Sequence, residues 1–429
     1  MLSKLESKLR RRKKQSDKTA PDHEEFKGDP SEIIDQLRRR MEKISKKTDL
    51  KATESHIDVD RYLPGAVCDT SMGEVWLNTV NFSSKYCHGN APTKDFLNAS
   101  TGLAALAQDK RIAELSPTKA LFFDTETTGL SGGTGTLPFL MGVGWLNDGG
   151  DFTVEHLFCR TPEEESAQLE LMAAHLERAK YIVTFNGKAF DIPLLNTRFI
   201  MNRMSNPGHA LPHLDLLHIA RRIFGRRLSD RSLTGLEHAV LDFKREGDIP
   251  GYAIPEVYAR YLRKESAKPI RSVLEHNTLD LLALAALGGV LAEMYKKPEA
   301  VKHAADHLGL AKAAWMIGER DNADTHLSLA GQHALGDDRL AALHMTARHA
   351  LKMKNFDLAR DTWLQLLSQY SDDPYAHLAL AKHFEHKEKN YVKAAKHARS
   401  AVEVEGDDGV EHRLARLKRK MARTKKGKQ

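Results

Sequence analysis

Leu121-Phe122-Phe123-Asp124-Thr125-Glu126-Thr127-Thr128-Gly129-Leu130 decides how this chain is read. An apolar run of strand-forming residues stops at two carboxylates spaced i, i+2. In an extended chain such positions point to one face, so Asp124 and Glu126 project side by side. Adjacent like charges repel, and withdrawing them from water is costly. A divalent cation between them removes the conflict, and hard oxygen donors suit Mg²⁺ or Mn²⁺. Taken alone, the pair fits a strand end with two solvated acids equally well.

Working outward, the pattern predicts an α/β domain from about Lys119. Leu121 to Phe123 is the first strand, Phe139 to Leu146 the second and Phe152 to Phe158 the third. Their connections are too short for crossover helices, so they form an antiparallel meander. Glu163 to Arg178 reads as a helix with acids in its first turn. Tyr181 to Phe185 is a fourth strand, Ala189 to Met201 a helix, and His213 to Leu216 a short fifth strand. Helices follow, the last of them running from about Ala267 to Tyr295. This order describes a mixed sheet covered by helices. The loop from Gly129 to Thr136 carries four glycines but no Gly-Lys-Ser/Thr, so it is not a Walker A loop. Its glycines allow close approach to a ligand, or simply make it flexible.

Two further acid sets stand out. Asp191 lies in the first turns of a helix, among Phe190, Ile192, Leu194 and Leu195, which call for burial. A half-buried carboxylate wants a partner, although an N-terminal helix position favours Asp by itself. Lys188 nearby is placed to contact phosphate or to pair with an acid. In the long helix, His276 and Asp280 are i, i+4 and share one face. The apolar run Leu281 to Leu287 follows, so that helix is buried and Asp280 sits at its entrance.

The 429 residues are 41% hydrophobic and 29% charged with a formal net charge of +7, which fits a multidomain globular chain and is compatible with nucleic acid. Cys68, Cys87 and Cys159 are scattered and odd in number, which suggests neither a disulfide framework nor a zinc knuckle. A cytoplasmic location, with no secretory signal and no membrane span, is the expectation. Residues 1–60 read as a basic, mostly disordered segment, with Arg10 to Lys14 as a block of like charge and a helix over Ile33 to Lys47. Residues 61–118 form a lead-in that packs on the central domain at 119–297. From 298 to 405 the pattern changes to helix pairs. Ala323, Ala359 and Ala394 recur in similar contexts at spacings of 36 and 35 residues, close to the tetratricopeptide period. A generic helical bundle is the alternative. The basic tail at 406–429 is expected to be loose after Arg413.

Together the acid sets resemble the DEDD superfamily of 3′→5′ exonucleases, whose fold is ribonuclease H-like. Asp124 and Glu126 match its Asp-x-Glu motif. Asn186, Phe190 and Asp191 match the second motif, and Asp280 the last. Within that superfamily the chain resembles the YprB-like ribonuclease H-like family. Asp124 through Gly133 and His213-Leu214-Asp215-Leu216-Leu217-His218 carry that closer match. Ser232-Leu233-Thr234-Gly235-Leu236-Glu237, Asp248-Ile249-Pro250-Gly251 and His276-Asn277-Thr278-Leu279-Asp280 add to it. One departure stands out. His-type enzymes carry the histidine five residues before the last Asp, and Tyr-type enzymes carry a tyrosine four before it. His276 is a histidine at the tyrosine's spacing.

The resemblance implies a two-metal-ion phosphodiester hydrolase. Asp124, Glu126, Asp191 and Asp280 would hold two Mg²⁺ or Mn²⁺ ions, with His276 as candidate general base. Asp215 and Asn277 are expected to support these groups from behind. Thr127, Gly129, Asn186, Lys188 and Phe190 are candidates for contact with DNA or RNA, as a single strand or a 3′ end. So are Arg221, Arg222, Arg226 and Arg227, as a backbone track rather than a solvated helix face. The helical repeats are expected to recruit a protein partner. The competing reading is a scaffold that binds nucleic acid without cutting it.

Overall fold

The structure, a computed structural model, describes residues 59–129 and 135–426. The basic block at Arg10 to Lys14, the helix expected over Ile33 to Lys47 and five residues of the glycine-rich loop lie outside the described residues. After a helical turn, α1 (Val59–Tyr62), come β1 (Ala66–Thr70), β2 (Gly73–Phe82), a two-residue hairpin of β3 (Cys87–His88) and β4 (Ala91–Pro92), and α2 (Ser100–Ala107). The central part holds β5 (Ala120–Thr127), β6 (Pro138–Leu146), β7 (Phe152–Phe158), α3 (Glu165–Arg178), β8 (Tyr181–Thr184), α4 (Asp191–Met201), β9 (His213–Asp215), α5 (Leu216–Phe224), α6 (Leu233–Val240), α7 (Ile254–Leu262) and α8 (Ile270–Lys296). Helices complete the chain: α9 (Ala304–Ile317), α10 (Arg320–His333), α11 (Gly336–Lys352), α12 (Phe356–Gln369), α13 (Pro374–His386), α14 (Tyr391–Arg399), α15 (Val402–Glu405) and α16 (Asp407–Lys426).

The main sheet has seven strands in the order β1-β2-β7-β6-β5-β8-β9. β5, β6 and β7 form the expected antiparallel meander, and β8 and β9 add in parallel beyond β5. The lead-in does more than pack on the domain. β2 pairs with β7 over seven residues and extends the sheet on its far side, with β1 beyond it. Val75, Trp76, Thr79 and Val80, β-branched or aromatic and close together, are the signal that announces a strand there.

β5 shows how the strand feeds both layers. Leu121 and Phe123 pack on one face with Leu176 of α3 and Leu195 and Phe199 of α4. Ala120 and Phe122 pack on the other with Leu281, Leu282 and Ala285 of α8. Asp124 and Glu126 continue the α8 face, and Thr125 the α4 face. By length and composition α8 is apolar enough to cross a membrane, which corrects the expectation that no run is long enough. Most of its apolar stretch is buried against the sheet, as in a core helix.

The helical region continues this core. α9 packs on α5 and α2, and Leu310, Ala313 and Ala314 join the cluster of Ile223, Phe224 and Leu291. Gly309 permits the close approach: a Cβ there would stand 2.6 Å from the Ile223 Cα. As far as Lys426 the tail is ordered. α16 is a helix, and its Arg413, Arg416 and Lys420 all reach the buried Glu385 of α13 at 2.8–3.0 Å. A lysine-rich composition looks mobile in sequence because its carboxylate partner lies some thirty residues upstream in another helix.

Candidate metal centre

The site is built where β5 ends against α8. Regular pairing with β6 shifts between Glu126 and Thr127, so the strand finishes just past its second acid. α4 then delivers Asp191 at its first residue. The turn before it is held from beneath: Asp215 accepts the amides of Asn186 at 2.9 Å and Lys188 at 3.1 Å. The same carboxylate caps α5 through the Leu217 amide at 3.1 Å. Asn186 itself takes a left-handed conformation, φ 66°. Asp215 is thus committed to backbone, in keeping with a supporting role.

The aspartates share one arrangement, in which one carboxylate oxygen is anchored by a donor. Asn277 Nδ2 donates to Asp124 Oδ2 at 2.8 Å. Thr125 Oγ1 donates to Asp191 Oδ1 at 2.5 Å. Arg245 Nη2 donates to Asp280 Oδ1 at 2.5 Å. Gly142, opposite Asp124 in the sheet, makes room for Asn277, because a Cβ there would fall 1.7 Å from the Asn277 Oδ1. The second oxygens of Asp124 and Asp280 accept no hydrogen bond among the described residues.

The cluster is electrostatically frustrated. Burial, reinforced by Asp280, Asp191 and Glu126, holds the Asp124 carboxyl well above its usual range. Burial and the charges of Asp280, Asp191 and Asp248 do the same to Glu126. Burial pushes Asp191 up to about 6, against the Thr125 hydrogen bond. Asp280 is also raised by burial, with Arg245 and His276 opposing. A protein that gathers carboxylates it must strain to ionise has a donor set suited to a hard divalent cation. Glu126, His276 and Asp280 each offer a ligand atom, all within 4.8 Å of one another. The residues therefore fit such an ion.

His276 faces this cluster. Its Nδ1 lies 2.8 Å from Asp248 Oδ2, and its Nε2 lies 3.6 Å from Asp280 Oδ2 and 3.9 Å from Glu126 Oε1. Arg245 ties the surroundings together, reaching Glu237 at 2.8 Å, Asp248 at 3.1 Å and Asp280. Glu237 in turn meets the buried His88 at 2.6 Å. The role of Arg245, and the Thr125 contact, escape a reading of the sequence. In Asp242-Phe243-Lys244-Arg245-Glu246-Gly247-Asp248 nothing local says that Arg245 turns inward while Lys244 faces water.

A cleft of about 550 Å³ opens beside the acids, lined by Asp124, Asp280, Asn186, Phe185, Arg221 and Arg231. Arg221 is exposed and makes no ion pair among the described residues. Phe190, 56% exposed, stands next to Asp191, and Lys188 is exposed in the same turn. Thr127 Oγ1 donates to the Gly129 carbonyl at 2.7 Å and so closes the start of the loop. Of the basic track expected after Asp215, three arginines have partners within the chain. Arg222 donates to the Leu106 carbonyl at 2.5 Å, Arg226 pairs with Asp338 at 2.8 Å and Arg227 with Asp306 at 2.9 Å. Arg222 fastens α5 to α2, and the turn after α5 is fastened to α11 and α9 by Arg226 and Arg227. On a helix both faces carry arginine, and only packing decides which face is covered.

This sheet and site define the class of protein. The RNase_H superfamily model matches residues 121–292. The chain is 33% identical over 314 residues to a protein of Bacillus subtilis (strain 168) named "Uncharacterized protein YprB", covering 70% of this chain and 74% of that one. The chain belongs to the YprB family, with an RNase H-like domain followed by a helical C-terminal region. That membership supports a nuclease or other phosphodiester hydrolase.

Proposed function

We propose that this chain is a metal-dependent nuclease that removes nucleotides from the 3′ end of a DNA or RNA strand with two Mg²⁺ or Mn²⁺ ions. The observation that carries the reading is the set of buried aspartates at Asp124, Asp191 and Asp280, each with one carboxylate oxygen anchored by a side-chain donor. A bound pair of divalent ions would supply Lewis acidity at the scissile phosphate and offset the charge that builds on it. Asn277, Thr125 and Arg245 keep the carboxylates oriented, so the site need not reorganise as charge develops. Arg221 contributes a cation for the strand's phosphates, and Phe190 an exposed ring for a terminal base. The helix pairs from α9 to α14 resemble tetratricopeptide repeats in spacing, and we assign to them the recruitment of a protein partner or the positioning of substrate.

The test is a panel of end-labelled single- and double-stranded DNA and RNA incubated with Mn²⁺. Stepwise release of mononucleotides from the 3′ end, absent in Asp124→Asn, is the expected result. Internal cuts first would make the enzyme an endonuclease. Retention of the labelled strand without any cleavage would favour the scaffold.

A further inference from the structure

We propose that His276 is a ligand of one divalent ion through Nε2, together with Glu126 and Asp280, and that this mixed donor set selects manganese-like transition ions over magnesium. The inference rests on the site being a metal centre and adds the identity of the ion. It also reassigns the histidine from proton transfer to ligation.

Geometry carries the argument. At 3.6 Å from Asp280 Oδ2 and 3.9 Å from Glu126 Oε1, Nε2 is too far from either oxygen for a hydrogen bond. Donor atoms that share one ion at about 2.1 Å each stand roughly 3–3.5 Å apart, so an ion seats among the three as they draw inward from within 4.8 Å of one another. Nε2 makes no hydrogen bond among the described residues, although the side chain is only 13% exposed.

The rest of the ring is held as a ligand's ring is held. Nδ1 lies 2.9 Å and 2.8 Å from the two oxygens of Asp248. A carboxylate there places the proton on Nδ1 and leaves the Nε2 lone pair facing Glu126 and Asp280. Asp248 is itself fixed by Arg245 Nη1 at 3.1 Å. The same guanidinium takes Oδ1 of Asp280 and leaves Oδ2, the oxygen on the histidine's side. Arg245 and Asp248 are therefore positioning residues for a histidine–carboxylate–metal arrangement. His276 and Asp280, one helical turn apart on α8, present their donors to a common point.

The chemistry of the donors sets the ion. Mg²⁺ favours an octahedron of oxygens and keeps much of its water, whereas an imidazole nitrogen suits Mn²⁺ and later transition ions. A site of carboxylates alone discriminates weakly between Mg²⁺ and Mn²⁺. Adding one nitrogen tilts it toward the latter.

The experiment needs no nucleic acid. The metal-free full-length chain is titrated with Mn²⁺ and followed by electron paramagnetic resonance, with Mg²⁺ as competitor. On the parent protein, electron spin-echo modulation should show ¹⁴N bonded directly to Mn²⁺, and His276→Gln should lose that signal. His276→Gln should weaken the tighter Mn²⁺ site by at least about 10–100-fold, and Asp248→Asn by about 10-fold. Mg²⁺ affinity should change by less than about threefold. A parent spectrum without nitrogen coupling overturns the proposal whether or not the variants fold. So does a folded His276→Gln that binds Mn²⁺ like the parent. Strand cleavage is scored separately. Nitrogen coupling without cleavage sinks the nuclease reading and keeps the ligand; cleavage without nitrogen coupling does the reverse.

Discussion

Two groups of buried carboxylates in this chain stand in opposite electrostatic states. Around Asp124, the carboxyls of Asp124, Glu126, Asp191 and Asp280 are buried close together, and burial, with the charge of neighbouring acids, raises their proton affinities. Around Glu385, one acid meets Arg413, Arg416 and Lys420, and its carboxyl is held down to about 2, chiefly by the Arg416 hydrogen bond. Both sets are tied together by contacts between distant elements. The helical region spends its charges on cohesion, clamping α16 onto α13. The cluster around Asp124 leaves much of its charge uncompensated, a state that a folded chain tolerates where a ligand completes it. The contrast separates a structural cluster from the candidate site without reference to composition.

The contrast can be broken at several points. Asp124→Asn should lower strand cleavage by on the order of 10³-fold, because one ion-orienting oxygen is lost. In metal-free buffer the same variant should melt at or above the parent's temperature, since a repulsion is removed. Full cleavage with Mn²⁺, measured by release of labelled nucleotide, would falsify the carboxylate site. Arg245→Met is the complementary change. It strands Glu237, Asp248 and Asp280 without their cation and should destabilise the fold by about 3–5 kcal/mol in denaturant titration. A loss below about 1 kcal/mol would mean that water already compensates those acids.

Glu385→Gln should cost about 2–4 kcal/mol at neutral pH, as three cations lose a common partner. Here pH sharpens the comparison. Glu385 has a depressed folded pKa, so its contribution is present above the ordinary carboxylate range and is lost as pH falls towards about 2. The deficit of Glu385→Gln should therefore shrink as the pH drops below about 4.5. Asp191 is raised to about 6, so it costs the metal-free fold stability as pH rises from the ordinary range through that value. Asp191→Asn should gain on the parent over that interval, and Mn²⁺ should abolish the gain. Equal slopes for the two variants would collapse the distinction between the clusters. The smallest expected effect is at the surface. Arg221→Ala should weaken binding of a single strand several-fold and reduce the salt slope by about one. An unchanged slope, read from fluorescence anisotropy at several salt concentrations, would place the strand elsewhere.

Much of the architecture is legible before folding. The short links after Phe123 and Leu146 require an antiparallel meander, and the structure has one. The run after Asp280 announces a buried helix, and α8 is that helix. The lead-in is less transparent. β2 joins the sheet by pairing with β7, seventy or more residues away, with β1 added beyond it, and exposed polar positions leave no clean alternation in either strand. The partners of the arginines after Asp215 are hidden for a related reason: Arg226 and Arg227 meet Asp338 of α11 and Asp306 of α9, which lie 79 or more residues further along.

What the sequence determines by itself is periodic. A strand repeats every two residues and a helix every 3.6, so Asp124 and Glu126 share a face, and His276 and Asp280 share another, whatever the rest of the chain does. Backbone geometry alone sets those relations. What the tertiary structure decides is which of these local pairs meet and what stands behind them. Asn277 reaches Asp124 across 153 positions, Thr125 reaches Asp191 across 66, and Arg245 reaches Asp280 across 35. No periodicity spans such distances. They follow from sheet register, from the missing side chain at Gly142 and from the path of the 241–253 loop, which only close packing of the whole domain selects.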